Sequence, residues 1–411
     1  MGFEVIDGGF TAAKGFSSCG GAAGIKKNGS ADMALFYSAV PCAAAGTFTS
    51  NRVKAAPVLW DRRIVRETEH LARAVVVNSG VANACTGRQG LDYCEKTAGT
   101  AAEVFGIDKN EVLVASTGVI GQQLPIDKIM GGIRSLSSSL GESREKGHEA
   151  ACAIMTTDTV PKEAAVRVFL SDGKSCAIGG CAKGSGMIHP NMCTMLAFIA
   201  TDAAISKELL QKALSEIVPD TFNMVSVDGD TSTNDTCLVL ANGLAGNSPI
   251  TEEGEDYRAF REGLYQVLES LSKQMAGDGE GATCLFEVRV VHADSKEKAK
   301  ILARSVVSST LTKAAVYGHD ANWGRILCAM GYSGADFDPE RVDLYLESAA
   351  GRLKILEDGV AADYSEELAT RILSESHITA TCDIKEGDAE AAAWGCDLTH
   401  KYVDINADYR S

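Results

Sequence analysis

The sequence predicts a fold of the α/β or α+β class, because segments with the pattern of buried strands alternate along the chain with segments of helical periodicity. The stretch RAVVVNSG at 73–80 is an apolar run that enters a turn at Asn78–Gly80, and EVLVASTGVIG at 111–121 repeats this form. A strand pattern returns in ATCLFEVRVVHA at 282–293. These separated strands need other elements between them, which favours a mixed fold over a helical bundle or a β-sandwich.

Two helices are indicated in the second half of the chain. The segment 206–218 starts at Ser206, a residue type that caps helix N-termini, and its apolar residues recur on one face. The segment 257–275 shows the same spacing over a greater length. No heptad array, solenoid period or low-complexity tract interrupts this alternation.

Composition and charge restrict the class of partner. The chain has 411 residues, of which 45% are hydrophobic, so a large core or two to three domains can form. Its formal net charge is −16. Nucleic acids and anionic membranes carry the same sign and would repel the protein at long range. We therefore expect a small-molecule substrate, with neither a nucleic-acid nor a membrane partner.

The N-terminus and the cysteines favour a reducing cytoplasm. The opening MGFEVIDGGFTAAKG has no basic region followed by an apolar stretch, as a secretory signal would. No apolar run approaches the roughly 20 residues that span a bilayer. The 13 cysteines are odd in number and form no C-x-x-C pair, which argues against a disulfide framework or a zinc ribbon. We expect reduced thiols in a cytoplasmic protein.

The glycine-rich and acidic segments give no sign of a nucleotide or a metal. KGSGM at 183–187 and GDGEG at 277–281 do not extend into a complete phosphate-binding motif. DGDTSTND at 228–235 lacks the glycine and glutamate positions of a calcium loop, so we expect a solvated turn there. The seven histidines contain no H-x-x-x-H pair. No metal and no organic cofactor is predicted.

Two potential nucleophiles stand side by side in HPNMCTML at 189–196. Cys193 and Thr194 can be ordinary residues of a buried strand. However, Pro190 and Asn191 predict a turn just before them, which places the Cys-Thr bond at a loop-to-strand junction. If the chain is cut at that bond, the new α-amino group of Thr194 can serve as the base for its own hydroxyl.

The segment KGSGMIHPNMCTMLAFIATDA at 183–203 resembles the self-cleaving ornithine acetyltransferase family, also called glutamate N-acetyltransferase. Further segments resemble the same family, in family order and over essentially the whole chain: VVNSGVANACTG at 76–87, ASTGVIGQ at 115–122, MTTDTVPK at 155–162, GDGEGAT at 277–283, NWGRI at 322–326 and YVDINADYRS at 402–411. The resemblance implies a layered α+β sandwich similar to the fold shared by ornithine acetyltransferases and β-aminopeptidases.

The resemblance also implies a reaction and its catalytic residues. Thr194 matches the nucleophile, and the Cys193–Thr194 bond matches a self-cleavage site that gives an α chain of 1–193 and a β chain of 194–411, together one catalytic unit. Thr117 and Gly118 match an oxyanion-stabilising pair, for which a hydroxyl and a backbone N–H are chemically suitable. The expected reaction is ping-pong transfer of acetyl from N-acetylornithine to glutamate in arginine biosynthesis. A heterotetramer of two α and two β chains is implied, without a cofactor, and acetyl-CoA stays open as a further donor.

Substrate-binding residues follow from the same matches. Lys183 suits an α-carboxylate, which both substrates carry, and Glu280 suits the cationic side chain of ornithine. Within TTDT we favour Thr157 over Thr156 as a substrate contact. The C-terminal residues involved are Asn406 and Ser411. Without the resemblance, Lys183 would be a solvated loop lysine and Glu280 an exposed turn residue.

Departures from the family pattern keep other functions open. The chain has His189, Cys193, Cys284 and His319 where family members usually carry other residues. An amidohydrolase or aminopeptidase on the same scaffold would use water as acceptor, or even the thiolate of Cys193 as nucleophile. A non-enzymatic amino-acid-binding protein would keep the pocket and lose turnover.

Overall fold

The computed structural model describes residues 2–67, 71–188 and 195–408. Within these residues the chain forms two compact units. The first contains residues 2–184, 195–221 and 231–271, and the second contains residues 185–188, 222–230 and 272–408. This division by contacts does not follow the 193/194 boundary, so the division into α and β chains stays a prediction.

Strands and helices alternate through the described residues, as the sequence predicts. The strands are β1 (Phe3–Ile6), β2 (Phe16–Gly21), β3 (Met33–Phe48), β4 (Ala72–Val81), β5 (Val112–Val119), β6 (Lys162–Phe169), β7 (Ser175–Lys183), β8 (Leu196–Thr201), β9 (Val225–Ser226), β10 (Thr236–Ala241), β11 (Leu285–Ala293), β12 (Asp343–Ser348), β13 (Gly351–Glu357), β14 (Val360–Ala361), β15 (His377–Asp383) and β16 (Ala389–Cys396). The helices are α1 (Ala56–Glu67), α2 (Gly87–Phe105), α3 (Ile126–Leu136), α4 (Arg144–Ala153), α5 (Lys207–Ile217), α6 (Glu255–Gly277), α7 (Lys296–Ser308), α8 (Thr310–Tyr317), α9 (Trp323–Gly331), α10 (Glu366–Leu373) and α11 (His400–Ala407). Single turns of 3-10 helix lie at Phe10–Ala12, Lys109–Glu111, Ser137–Ser139, Val218–Asp220, Phe222–Met224 and Pro339–Arg341.

The first unit is built on a mixed sheet with the strand order β1-β6-β7-β8-β10-β3-β4-β5, and β2 also pairs with β3. The pairs β8/β10 and β4/β5 are parallel, and the others are antiparallel. β10 lies between β8 and β3, and every one of its residues is buried. Continuous burial on both faces explains why residues 237–241 are all apolar instead of alternating with polar residues.

Aromatic side chains form part of the core of this unit. Phe10 contacts Phe16 and Phe36 with ring centroids 5.3 and 4.6 Å apart, and Phe36 contacts Phe198 at 5.0 Å. All four rings are buried. Tilted and edge-on ring pairs at these distances add a small attraction to the burial of apolar area. Phe198 lies on β8, so this core reaches the strand that begins just after position 194.

The second unit is built on a seven-stranded sheet with the order β14-β13-β12-β15-β11-β16-β9. The pairs β11/β15 and β16/β9 are parallel, and the others are antiparallel. Trp394 and Phe286 are fully buried in its core, and the indole N–H of Trp394 donates to Glu287 Oε2 over 3.2 Å. The two sheets with their helices confirm the predicted α/β class.

Individual elements match their sequence patterns closely. The strands expected at 73–80 and 111–121 are β4 and β5, and the helix expected at 257–275 is α6. α5 begins one residue after Ser206, whose hydroxyl accepts a hydrogen bond from Leu209 N over 3.3 Å. The strand expected at 282–293 starts three residues later, as β11. Across the described part of the chain, every helix is too short or too polar to cross a lipid bilayer.

Candidate active site

The predicted nucleophile lies outside the described residues, together with Cys193, His189 and Ser411. The structure does define the residue that follows Thr194. Met195 is buried, its backbone N–H donates to Asp235 Oδ1 over 3.0 Å, and its carbonyl accepts from Thr236 N over 2.9 Å. Hydrogen bonds at both the N–H and the carbonyl therefore fix the backbone of Met195, directly after the expected nucleophile.

The expected oxyanion pair lies at the end of β5. Gly118 has φ +130°, a conformation that residues with a Cβ rarely adopt. A Cβ at this position would lie 2.2 Å from Gly80 C, 2.5 Å from Gly80 O and 2.6 Å from Val81 N. Position 118 thus requires glycine both for its φ angle and for the close approach of β4. The adjoining Thr117 side chain is half-buried.

A buried network fixes the backbone around this pair. The Asn234 amide donates to Ala82 O over 2.6 Å and to Ser116 O over 2.7 Å. The Ser116 hydroxyl donates to Asn78 Oδ1 over 2.6 Å, and the Asn78 amide donates to Val81 O over 2.8 Å. Because buried polar groups without partners are costly, this closed set of hydrogen bonds holds the ends of β4 and β5 in one arrangement.

Lys183 lies beside one other expected residue, Thr117, and beside Thr156. Its ammonium donates to Thr156 Oγ1 over 2.7 Å and to Thr117 Oγ1 over 3.5 Å. Lys183 is buried, contrary to a solvated loop lysine. The hydroxyl beside Lys183 thus belongs to Thr156, whereas Thr157 was favoured as the substrate contact. Which of the two touches substrate stays a prediction.

Asp158 is the electrostatic centre of this cluster. Its carboxylate accepts from Lys162 Nζ over 2.8 Å, from Gly184 N over 2.7 Å and from Thr156 N over 3.0 Å, and Lys183 Nζ lies 3.7 Å from Oδ2. The side chains of Asp158 and Lys162 are fully buried. Burial by itself raises the pKa of Asp158, but the charges of Lys183 and Lys162 outweigh it and hold this pKa well below its usual range.

Two ammonium groups, those of Lys162 and Lys183, thus lie within 4 Å of the Asp158 carboxylate. The ammonium of Lys183 lies next to the hydroxyls of Thr156 and Thr117. A site of this kind is suited to an anionic ligand group, and a lysine held by a buried carboxylate is positioned before the ligand arrives.

The second unit brings two other expected residues together. The Asn406 amide donates to Glu280 Oε2 over 2.7 Å, and Glu280 N donates to Ser185 O over 2.9 Å. A Cβ on Gly186 would lie only 2.2–2.4 Å from the Glu280 carboxylate atoms, so the carboxylate occupies the space that a side chain would take. Glu280 is 7% exposed, which contradicts an exposed turn residue.

Two of the departures from the family pattern fall in the second unit. Cys284 is buried, and its backbone N–H donates to Asp397 Oδ1 over 3.4 Å. Burial raises the pKa of its thiol to about 12, so it is a thiol and not a thiolate at neutral pH. His319 has φ +52° and its Nδ1 lies 3.4 Å from Ser374 Oγ.

Sequence reasoning missed Asp158, Asn234 and Asp235. The expectation of a solvated turn at 228–235 is wrong for its second half, where Thr233, Asn234 and Asp235 are buried. A signal was present, since a run of polar residues directly before the apolar strand β10 must either face solvent or form hydrogen bonds inside the protein. Local pattern could not distinguish these outcomes.

Within residues 2–67, 71–188 and 195–408, no three His, Cys, Asp or Glu side chains are grouped so that they could hold a metal ion. The prediction that the reaction needs no cofactor is not tested by this finding and stays a prediction.

Comparisons with known proteins place this chain in a family. The family described as the ArgJ family matches residues 17–411. A relative from Symbiobacterium thermophilum, named arginine biosynthesis bifunctional protein ArgJ, is 53% identical over 410 residues, which are 99% of this chain and 100% of the relative. A relative of the same name from Thermotoga neapolitana is 49% identical over 398 residues, covering 97% of this chain and 99% of the relative.

A solved structure is also similar to part of the chain. The crystal structure of arginine biosynthesis bifunctional protein argJ from Bacillus halodurans has 45% sequence identity and a TM-score of 0.50, and the match covers 52% of this chain and 99% of the solved chain. The family match and the nearly full-length identities agree, and this chain belongs to the ArgJ family.

Proposed function

We propose that this protein is the acetyltransferase of arginine biosynthesis that moves an acetyl group from N-acetylornithine to glutamate through an ester on Thr194. The observation that carries the proposal is the nearly full-length identity of about one half to relatives named for arginine biosynthesis. The cluster of Lys183, Thr156 and Thr117 supports it, because it supplies a cation and hydroxyls, and Lys183 pairs across the sheet with Leu196, two residues after position 194.

The chemistry is a ping-pong exchange. The α-amino group of Thr194 takes the proton from its own Oγ, which attacks the acetyl carbonyl carbon of N-acetylornithine. The carbonyl oxygen becomes an oxyanion, for which Thr117 Oγ and Gly118 N–H are the proposed donors. When the C–N bond breaks, the proton passes to the leaving nitrogen and ornithine departs. The amino group of glutamate then attacks the Thr194 ester and Oγ regains a proton.

The free α-amino group requires that the chain be cut before Thr194. In the proposed self-cleavage, Thr194 Oγ attacks the Cys193 carbonyl carbon, the acyl group moves from nitrogen to oxygen, and water hydrolyses the ester. The products are a carboxylate on Cys193 and the amine and hydroxyl of Thr194. The residues expected on either side of the cut are 1–193 and 194–411.

Two observations support a protein of two associated chains. β7 precedes the proposed cut and β8 follows it, yet they pair over six residue positions, and β10 pairs with β3 over another six. The two chains would thus stay joined by backbone hydrogen bonds. In addition, a match that covers 52% of this chain covers 99% of the solved Bacillus halodurans chain. The solved chain is therefore about half as long as this one, as expected for one product of a cleavage near the middle.

Substrate binding is assigned by charge. Lys183 is proposed to bind the α-carboxylate that both substrates carry, with Thr156 or Thr157 beside it. Glu280, held by Asn406, is proposed to receive the side-chain ammonium of ornithine. Ser411 is assigned to substrate binding by resemblance alone.

Further properties are part of the same proposal. The word bifunctional in the names of the relatives supports a second activity, the synthesis of N-acetylglutamate from acetyl-CoA. We also propose an assembly of two α and two β chains in the cytoplasm. No metal or organic cofactor takes part in the proposed steps.

The test uses the purified chain with N-acetylornithine, with and without glutamate, and an intact-mass measurement. We expect two masses that sum to the full chain plus one water, and N-acetylglutamate only when glutamate is present. The Thr194→Ala variant should stay one chain and form no product. Acetate without N-acetylglutamate would identify a hydrolase, and fragments of the Thr194→Ala variant cut at the same bond would overturn the cleavage mechanism.

A further inference from the structure

The connection 22–32 between β2 and β3 is shaped by one buried carboxylate. Asp32 is buried, and its side chain accepts the backbone N–H groups of Ala23 over 2.6 Å, of Ile25 over 2.5 Å and of Lys26 over 2.9 Å. Hydrogen bonds to an ionised group are stronger than those between neutral groups, so three of them fix the conformation of this short segment. The connection therefore has a defined shape, from which the Lys26 side chain extends.

Lys26 reaches from this connection to the backbone that leads into the candidate site. Its ammonium donates to Ala31 O over 2.9 Å and to Met155 O over 2.8 Å. Met155 directly precedes Thr156, whose hydroxyl accepts from Lys183 over 2.7 Å. Two ammonium groups thus hold two consecutive residues, one through its backbone carbonyl and the other through its side chain.

A second donor holds the same stretch of backbone. The buried hydroxyl of Ser79, on β4, donates to Ala153 O over 2.7 Å. The backbone N–H of Ser79 in turn donates to Asp32 O over 2.8 Å. The end of β4, the connection 22–32 and the residues before Thr156 are therefore joined by one set of hydrogen bonds.

The aliphatic part of Lys26 lies at the strand end beside the expected oxyanion pair. A Cβ on Gly80 would lie 3.2 Å from Lys26 Cγ. Gly80 pairs with Gly118 where β4 meets β5. Lys26 thus contacts two parts of the candidate site, with its stem at the end of β4 and its ammonium at Met155.

We propose that Lys26 is a positioning residue of a subsite for the substrate α-carboxylate, where it holds the backbone before Thr156 and adds a second positive charge near Lys183. The proposal rests on the proposed function, which assigns the α-carboxylate of both substrates to Lys183. Lys26 acts through Thr156 and Lys183 and through its charge, so its effect falls on binding and not on the reacting carbonyl.

Electrostatics agree with this role. Burial lowers the pKa of Lys26, the carboxylate of Asp32 opposes this lowering, and the charge of Lys183 adds to it. The two ammonium groups therefore lie within electrostatic reach of each other. Cations held near one another by the fold repel, and an anion bound beside them relieves that repulsion.

The test uses three variants of the full chain. Lys26→Met removes the ammonium and keeps an unbranched side chain, whereas Lys26→Arg keeps the charge and the donors. Lys128→Met is the matched control, because Lys128 also donates to a carbonyl of the connection 22–32, that of Gly24. Lys128 is exposed, and in the described structure it forms no hydrogen bond to residues 153–158.

The first readout is the separation of KM from kcat. Lys26→Met should raise KM about 10-fold for both N-acetylornithine and glutamate, as expected for the loss of one charged interaction at a shared subsite. Its kcat should stay within about twofold of wild type, because the loss is one of uniform binding. Lys26→Arg should recover most of the lost affinity, and Lys128→Met should match wild type.

The second readout separates the carboxylate subsite from a general structural defect. Ornithine and 1,4-diaminobutane are compared as inhibitors against N-acetylornithine, since 1,4-diaminobutane is ornithine without its carboxylate. Lys26→Met should raise the inhibition constant of ornithine about 10-fold. The constant of 1,4-diaminobutane should not rise, because the variant removes a cation that repels the diamine.

Several outcomes would overturn the inference. They are an unchanged KM in Lys26→Met, a loss confined to kcat, and an equal weakening of ornithine and 1,4-diaminobutane. If Lys26→Met does not fold, Lys26→Gln keeps a donor for Met155 O without the charge, and the same rise in KM is required of it. A wild-type chain that transfers no acetyl from N-acetylornithine to glutamate would instead refute the proposed function.

Discussion

Replacement of Asp158 by Asn tests whether a buried ion pair prepares the site for its anionic substrate group. Asn keeps one acceptor oxygen but places an NH₂ group where the second oxygen accepts from Thr156 N or Gly184 N. It also removes the negative charge between Lys162 and Lys183. The lysines then face each other with no carboxylate between them.

The magnitude follows from the burial of the pair. Lys162 and Asp158 are both fully buried and lie 2.8 Å apart. Removal of one partner from a buried, hydrogen-bonded ion pair costs about 3–5 kcal/mol, because the remaining charge loses its counter-charge inside the protein. We therefore expect Asp158→Asn to lower the free energy of unfolding by about 3–5 kcal/mol, which urea denaturation measures directly. Since Lys183 loses the nearby carboxylate of Asp158, its ammonium should be held less firmly in the site, and KM should rise for both substrates.

The double variant Asp158→Asn, Lys162→Met supplies the control. It removes both charges and keeps the aliphatic volume, so it should be more stable than Asp158→Asn alone.

The pH dependence of stability gives a second check. A lowered pKa in the folded state contributes stability that is complete above the unfolded pKa of about 3.9 and is lost as the pH falls further. The difference between wild type and Asp158→Asn should thus be constant near neutrality and shrink in acid. A loss below about 1 kcal/mol at pH 7, or a double variant less stable than the single one, would refute this reasoning.

Three further predictions concern the other expected residues. Thr117→Ala should lower kcat about 10²-fold with little change in KM, because the hydroxyl would act on the transition state, and a change confined to KM would contradict the oxyanion assignment. Gly118→Ala should abolish activity and lower stability, because its Cβ would lie 2.2 Å from Gly80 C, and a fully active variant would show that this close approach does not occur in solution. Glu280→Gln should weaken N-acetylornithine use by about 1.5–3 kcal/mol and glutamate use by less, and equal losses in kcat/KM would rule out the side-chain role.

Sequence alone determined the class of fold and the position of its clearest elements. The helix after Ser206 and the strands at 73–80 and 111–121 were readable because their signals are local: a capping side chain, a fixed apolar period and a continuous buried run. The family was also readable, since its motifs occur in order along the chain, and the match to residues 17–411 confirms it.

In the candidate site, too, some residues could be predicted from sequence motifs and others could not. Thr117, Gly118 and Lys183 were named from motifs, and the requirement for glycine at position 118 has a physical reason that a motif does not state. The adjacent threonines in TTDT have no distinguishing local signal, so the sequence offers no geometric criterion for Thr157 over Thr156. The fold places the hydroxyl of Thr156 against Lys183.

Tertiary structure alone decided how charge is arranged around these residues. Asp158 is 25 residues from Lys183 in the chain, and Asp235 is 40 residues from Met195, so no local periodicity connects them. Burial distinguishes both from solvated acidic residues: Asp158 becomes the centre of an ion pair, and the pKa of Asp235 is raised by desolvation. Burial results from the packing of the whole sheet, and for that reason the polar residues at 233–235 could be assigned only once β10 was known to lie between β8 and β3.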